Sequence, residues 1–246
     1  MSASTAVLKS EARLFSREPG ALFWIIAFPT ALLAILGLIP SFRTADPSID
    51  GLRVIDLYVP IVVLLAVIMA GLQTLPPVLA GYRERGILRR MSTTPVRPVS
   101  LLAAQIVLNG AAALGSAILA MAVGRLVFGV ALPRQLFGYL LALVLAALAA
   151  LAFGATIAAF SRTTKIASAI GSAVFFPGMF TAGVWFPVQV MPDLLRHIVE
   201  FTPFGAASQA LNQAAAGDWP SWSHLGVTAL WTVILIAAAA RWFRWE

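Results

Sequence analysis

Residues 57–80 read LYVPIVVLLAVIMAGLQTLPPVLA, and residues 81–98 continue as GYRERGILRRMSTTPVRP. The first stretch carries no charged side chain over twenty-four positions, enough for a helix to cross about 30 Å of hydrocarbon. The second changes abruptly to five arginines in eighteen residues, so the chain leaves the apolar phase at Gly81. Outward from this pair, five more long apolar runs occupy residues 21–39, 101–128, 135–160, 166–185 and 224–240. The reading is an all-α polytopic membrane protein with six transmembrane helices. Composition agrees: 246 residues are 60% hydrophobic and 11% charged, with a mean hydropathy of +0.91, outside the range of soluble globular chains.

No connection between the runs exceeds about 40 residues, less than the usual smallest independent domain of roughly 50. The chain is therefore read as one transmembrane domain, 1–246, and a soluble catalytic domain is excluded. The absence of cysteine excludes disulfide scaffolds, thiol nucleophiles and Cys-ligated metals. The first run follows Lys9, Arg13 and Arg17 as a secretory signal would, but its nineteen residues exceed a signal core of about 7–15. It is read as a retained span, with a kink at Pro29. Placing both termini in the cytoplasm puts twelve of the 17 Lys and Arg residues inside, which sets the orientation.

Ahead of the first run, Lys9, Arg13 and Arg17 recur at four-residue spacing opposite Val7, Leu8, Ala12, Leu14 and Phe15. This is the pattern of a basic amphipathic helix lying in the membrane interface over residues 1–20. Glu11 falls inside the apolar arc and breaks the pattern, and a plain charged flank to the span is the other reading. In the cytoplasmic loop 81–100, Arg85 and Arg89 form a like-charge i, i+4 pair on a helix, and Glu84 has no basic residue three or four positions later. These charges are read as facing outward, toward lipid phosphates or a partner protein. Ile87, Leu88 and Met91 add an apolar face that suits a protein, and Thr93-Thr94-Pro95 stops the helix.

The string from Arg83 to Pro95 resembles the signature loop of the ATP-binding-cassette type-2 permeases, in which a charged stretch ending in Thr-Thr-Pro leads into the third span. The resemblance extends along the chain through the six spans, the N-terminal interfacial helix and a Pro-rich external segment before the last span. The short length and lack of large loops are similar to the daunorubicin-type drug exporter permeases. The resemblance implies that Arg83, Glu84, Arg85, Gly86, Ile87, Leu88, Arg89, Arg90 and Met91 form the coupling helix that docks into a nucleotide-hydrolysing subunit. It also implies two copies of that ABC ATPase, which would hold ATP and Mg, a second permease copy or paralogue, and a place in a bacterial inner membrane.

In the external segment 186–223, Pro187, Pro192, Pro203 and Pro220 preclude one continuous helix. Phe186, Val190, Leu194, Leu195, Ile198, Val199 and Phe201 make it too apolar for a solvated loop. Short helices dipping into the outer leaflet fit this composition, and the family resemblance implies re-entrant helices there. Asp193, His197 and Glu200 share a helical face that could present metal ligands. Arg196 can pair with both carboxylates, so a salt-bridged face is the simpler reading and no metal is assigned.

Within the spans, Gln105 and Asn109 share one face, and Gln73 and Thr74 lie at the inner end of the second run. Polar side chains of this kind join helices. Gly110, Gly115, Gly154, Gly171, Gly178 and Gly183 permit close helix approach. Phe175, Phe176, Met179 and Phe180 concentrate bulk near Pro177, either as lipid-facing aromatics or as an apolar substrate wall. The family resemblance supports the wall, since second and fifth spans line the path between two protomers in such permeases; on that reading Met69 and Gln73 belong to it.

No Gly-x-x-x-x-Gly-Lys-Ser/Thr loop occurs, no Ser–His pair falls within the spans, and no acidic residue lies inside a span. Nucleotide cradling, intramembrane Ser proteolysis, and carboxylate-based channels or ion-coupled carriers are accordingly excluded. No catalytic residue, metal, cofactor or nucleic-acid partner is assigned to this chain, and ATP hydrolysis is expected in a separate subunit. The expected function is the permease subunit of an ATP-driven exporter of hydrophobic or amphipathic compounds, drugs or lipids. The alternatives are a polysaccharide or lipid-linked glycan exporter and, from another class, a non-transporting scaffold or ion pathway.

Overall fold

A computed structural model describes residues 3–49, 51–87, 90 and 98–242. Among these, α1 (Ala3–Phe15) lies ahead of α2 (Pro19–Gly37), α3 (Val54–Glu84), α4 (Pro98–Phe128) and α5 (Leu136–Phe160). There follow α6 (Thr164–Thr181), α7 (Asp193–Glu200), α8 (Pro203–Ala216) and α9 (Trp222–Trp242). The protein is all-α and polytopic. Five helices, α2, α3, α4, α5 and α9, are long and apolar enough to cross a membrane. The segment expected as the fifth of six spans is α6, which falls short of the others. Thr164 and Lys165 open it, Ser168 and Ser172 dilute it, and it stops at Thr181. The stop is a glycine turn: Gly183 at φ +87° donates to Phe180 O, and Val184 donates to Met179 O, both at 3.0 Å.

The uncharged run that opens the sequence reading is the core of the molecule. In α3, 89% of the most apolar window is buried, against 22–56% in the other four spanning helices. α2, α4, α5, α6 and α8 pack around it, and α9 lies outside, along α5 and α8. An α-helix surrounded in this way must be apolar on every side, which is why residues 57–80 show no polar face.

Two of these helices widen into a π-helical turn, and in each a proline explains the place. In α2 the turn is Phe23–Ala27 and Pro29 follows; in α3 it is Met69–Thr74, followed by Pro76 and Pro77. Proline lacks the N–H that would bond four residues back, and its ring crowds that carbonyl. The kink predicted at Pro29 thus takes the form of a widened turn. In α3 the consequence is larger. The Leu75 N–H goes to Ala70 O, and positions 76 and 77 offer none, so Gly71 O and Leu72 O are left without a donor from their own helix. Both carbonyls are met by glycine backbones. A β-carbon placed on Gly154 of α5 would collide with Gly71 O, and one on Gly171 of α6 would collide with Leu72 O. Irregular backbone at membrane depth is tolerated where protein covers it in this manner.

Gly178 also sits at a close approach, 3.2 Å from the Phe204 ring for a built β-carbon, whereas Gly115 has nothing within 4 Å and Gly110 makes only an ordinary contact at 4.0 Å. Gly110 and Gly115 are therefore not close-packing positions, contrary to the sequence reading. At the end away from the Arg-rich loop, the Arg53 guanidinium bonds Asp56 at the start of α3 and Phe128 O at the end of α4, tying the two helices together. α8 is buried almost throughout, closing that end of the bundle.

Candidate functional site

Between α2 and α6, with α3 as its floor, lies a groove of about 790 Å³. The π-turns shape it: Trp24 and Phe28 reach it from α2, and Met69, Gln73 and Thr74 from the widened turn of α3. Ser172, Phe175, Phe176 and Met179 of α6 form the facing wall, with Trp185 beyond them. Phe175 is buried and meets the exposed Phe176 edge to face at 5.7 Å between ring centres. Of the six residues placed on a path by sequence, Met69, Gln73, Phe175, Phe176 and Met179 line this one groove. Phe180 does not. One position beyond Met179 it turns to the outer side of α6 and packs on Val188, Met191 and Val199. The α2 contribution, Trp24 and Phe28, escaped the sequence reading; their i, i+4 spacing beside Pro29 was the available signal.

The groove ends in polar groups where the Arg-rich loop begins: Glu18, Tyr82, Arg85 and Thr164. Here the last residues of α3 turn back into the chain. The Tyr82 hydroxyl donates to the buried Glu11 carboxylate of α1 at 2.5 Å, and the Gln105 amide of α4 donates to the same oxygen at 2.7 Å. Asn109 in turn donates to Gln105 O at 2.9 Å. Arg83 donates to Ala158 O at 2.9 Å and Ser161 O at 2.8 Å, at the end of α5. Glu84 accepts from the Thr164 amide at 2.9 Å and hydroxyl at 2.8 Å, at the start of α6. Glu84 is exposed, as the outward reading expects, and the addition is that it also has a partner in the α5–α6 turn, where half-buried Arg83 bonds as well. Arg85 and Arg90 are exposed, with Arg90 donating to Arg85 O at 3.3 Å, and Ile87 is half-buried. Gly86 has φ +66°, where the helix gives way. Leu88, Arg89 and Met91 lie outside the described residues.

The family model for ABC-2 type transporters matches residues 3–214, from α1 through almost all of α8. The chain belongs to the ABC-2 type transporter family. It is a multi-pass permease component of an ABC transporter, a class that works with an ABC ATPase subunit. No curated protein is similar enough to this ABC-2 permease to count as a match.

At the other end of the permease, α7 is apolar on two sides, with Val199 and Leu195 packed inward on Val188 and Met191. Leu194, Ile198 and Phe201 are exposed, while Arg196, His197 and Glu200 line a polar pocket of about 600 Å³ with Gln189, Gln209, Gln213 and His224. Arg196 pairs with Asp193 at 2.6 Å. Glu200 accepts instead from Gln209 at 3.0 Å, and His197 Nδ1 faces Asp193 O at 3.0 Å. Among the described residues no group of three ligating side chains could hold a metal ion.

Proposed function

We propose that this permease moves hydrophobic or amphipathic compounds, drugs or lipids, out of the cell through the groove bounded by α2, α3 and α6. The reading places both termini and the 81–100 loop in the cytoplasm of a bacterial cell, the loop against the ATPase, and a second permease copy or paralogue across the groove. Closure of two ATPase subunits on ATP would then drive alternating access.

The observation that carries the proposal is the lining. At about 790 Å³ the groove lies within the roughly 300–1,000 Å³ of small-molecule sites, which are mostly apolar with a few convergent polar groups. Trp24, Phe28, Phe175, Phe176, Met69 and Met179 supply adaptable apolar surface, and the polar groups gather at one end, as a compound with an apolar body and a polar head requires. A glycan's many hydroxyls would meet few protein partners on this apolar wall, whereas an apolar body covers it. The test is reconstitution of the permease with its ATPase in liposomes and measurement of lipophilic dye movement. Transport that needs both the ATPase and hydrolysable ATP is expected; dye movement indifferent to ATP contradicts the proposal.

A further inference from the structure

Three consecutive side chains, Tyr82, Arg83 and Glu84, leave the end of α3 in three directions and hold α1 with α4, the end of α5, and the start of α6. We propose that Arg83 and Glu84 are positioning residues, a clamp that carries displacement of the following loop into α6 and so into the groove wall; the inference rests on the transport reading above.

The chemistry of the clamp fits the ends it grips. The last carbonyls of α5 and the first amides of α6 lack helical partners, and the helix dipoles favour a cation at the former and an anion at the latter. Arg83 bridges two carbonyls of the first, and Glu84 takes both donors of Thr164 at the second. A two-residue segment of α3 thus fixes both sides of the α5–α6 turn.

α6 is held on α3 at a second point, where Gly171 meets Leu72 O. With a rise of about 1.5 Å per residue, Thr164 lies about 10 Å on one side of that contact and Met179 about 12 Å on the other. Gly171 is then the pivot of a lever with nearly equal arms. When Glu84 moves with the loop, Thr164 follows, Met179 swings by a similar amount in the opposite sense and Phe175, about 6 Å from the pivot, by about half as much, changing the width of the groove. A loop whose charges only met the partner would need no such grip on α6.

The test uses the reconstituted ATPase–permease complex. E84A should still co-purify the ATPase but move severalfold less dye per ATP hydrolysed. E84Q retains an acceptor oxygen for Thr164 and should recover most of the coupling, while R162A, an exposed change on the same turn, should leave it as in wild type. In a double-mutant cycle, T164V should add nothing to E84A, because the partner is already gone. Spin labels at Ala27 of α2 and Ala173 of α6 should report an ATP-dependent distance change in wild type that E84A abolishes; should E84A not fold, E84S, whose side chain is too short to reach Thr164, carries the same cycle. Independent, multiplying effects of Glu84 and Thr164, or an unchanged distance response in E84A, would overturn the clamp. Loss of ATPase co-purification in both E84A and E84Q would overturn it too, by placing Glu84 on the partner surface. Failure of wild type itself to transport would defeat the transport reading instead.

Discussion

At Gly154 and Gly171 a β-carbon would meet a backbone carbonyl of α3, and at Gly115 it would meet nothing within 4 Å. Gly154→Ala and Gly171→Ala should therefore destabilise the permease by about 1–3 kcal/mol through overpacking. Gly115→Ala should be neutral or stabilising by up to about 1 kcal/mol from helix propensity. Thermal unfolding in detergent, followed by size-exclusion profile, separates these outcomes; equal effects at all three positions would contradict the packing assignment. Composition showed that small residues were available for close helix contact, but not which of them face a neighbour. The decisive position, Gly71, becomes legible only with the widened turn, in which the Leu75 N–H goes to Ala70 O and Pro76 offers no donor in its place. Phe180 teaches the same limit in reverse. It shares a cluster with Phe175, Phe176 and Met179 in sequence, yet one residue is about 100° on a helix, enough to turn it from the groove to another contact.

α1 shows how an element can be recognised while its anchor is missed. The basic spacing of Lys9, Arg13 and Arg17 marked an amphipathic helix, and Glu11 looked like its flaw. In the fold Glu11 is 7% exposed and joins α1 to both Tyr82 and Gln105. Glu11→Ala leaves the Tyr82 hydroxyl without its acceptor and Gln105 with only its 3.1 Å bond to Tyr82, at about 1–3 kcal/mol, and should loosen α1 from the bundle. Faster tryptic cleavage at Arg13 and Arg17 and faster amide exchange across α1 are the expected signs, with Lys9→Ala, an exposed change, as the silent comparison. The long helices were legible to within a few residues because length and apolarity alone decide them. Glu84 was not, because the sequence search for its partner ran three or four positions along its own helix. Thr164 lies 80 residues on, and no local rule reaches that far.

At the scale of the whole permease, orientation and path each have a direct chemical test. The chain has no cysteine, so single probes are clean. Arg90→Cys and Asp218→Cys, both exposed and at opposite ends of the fold, should label from opposite faces of an intact membrane, position 90 from the cytoplasm. Labelling of both from one face would contradict the topology. The most direct test of the central claim, that the α2–α3–α6 groove carries the substrate, is a plug placed inside it. Phe176→Cys puts a thiol on an exposed position of the wall, and Leu126→Cys puts one on α4, 84% exposed and away from the groove. A bulky lipophilic thiol reagent applied to the reconstituted complex should abolish ATP-dependent dye transport in the first and leave it intact in the second. Undiminished transport by the fully modified Phe176→Cys protein would show that substrate travels elsewhere.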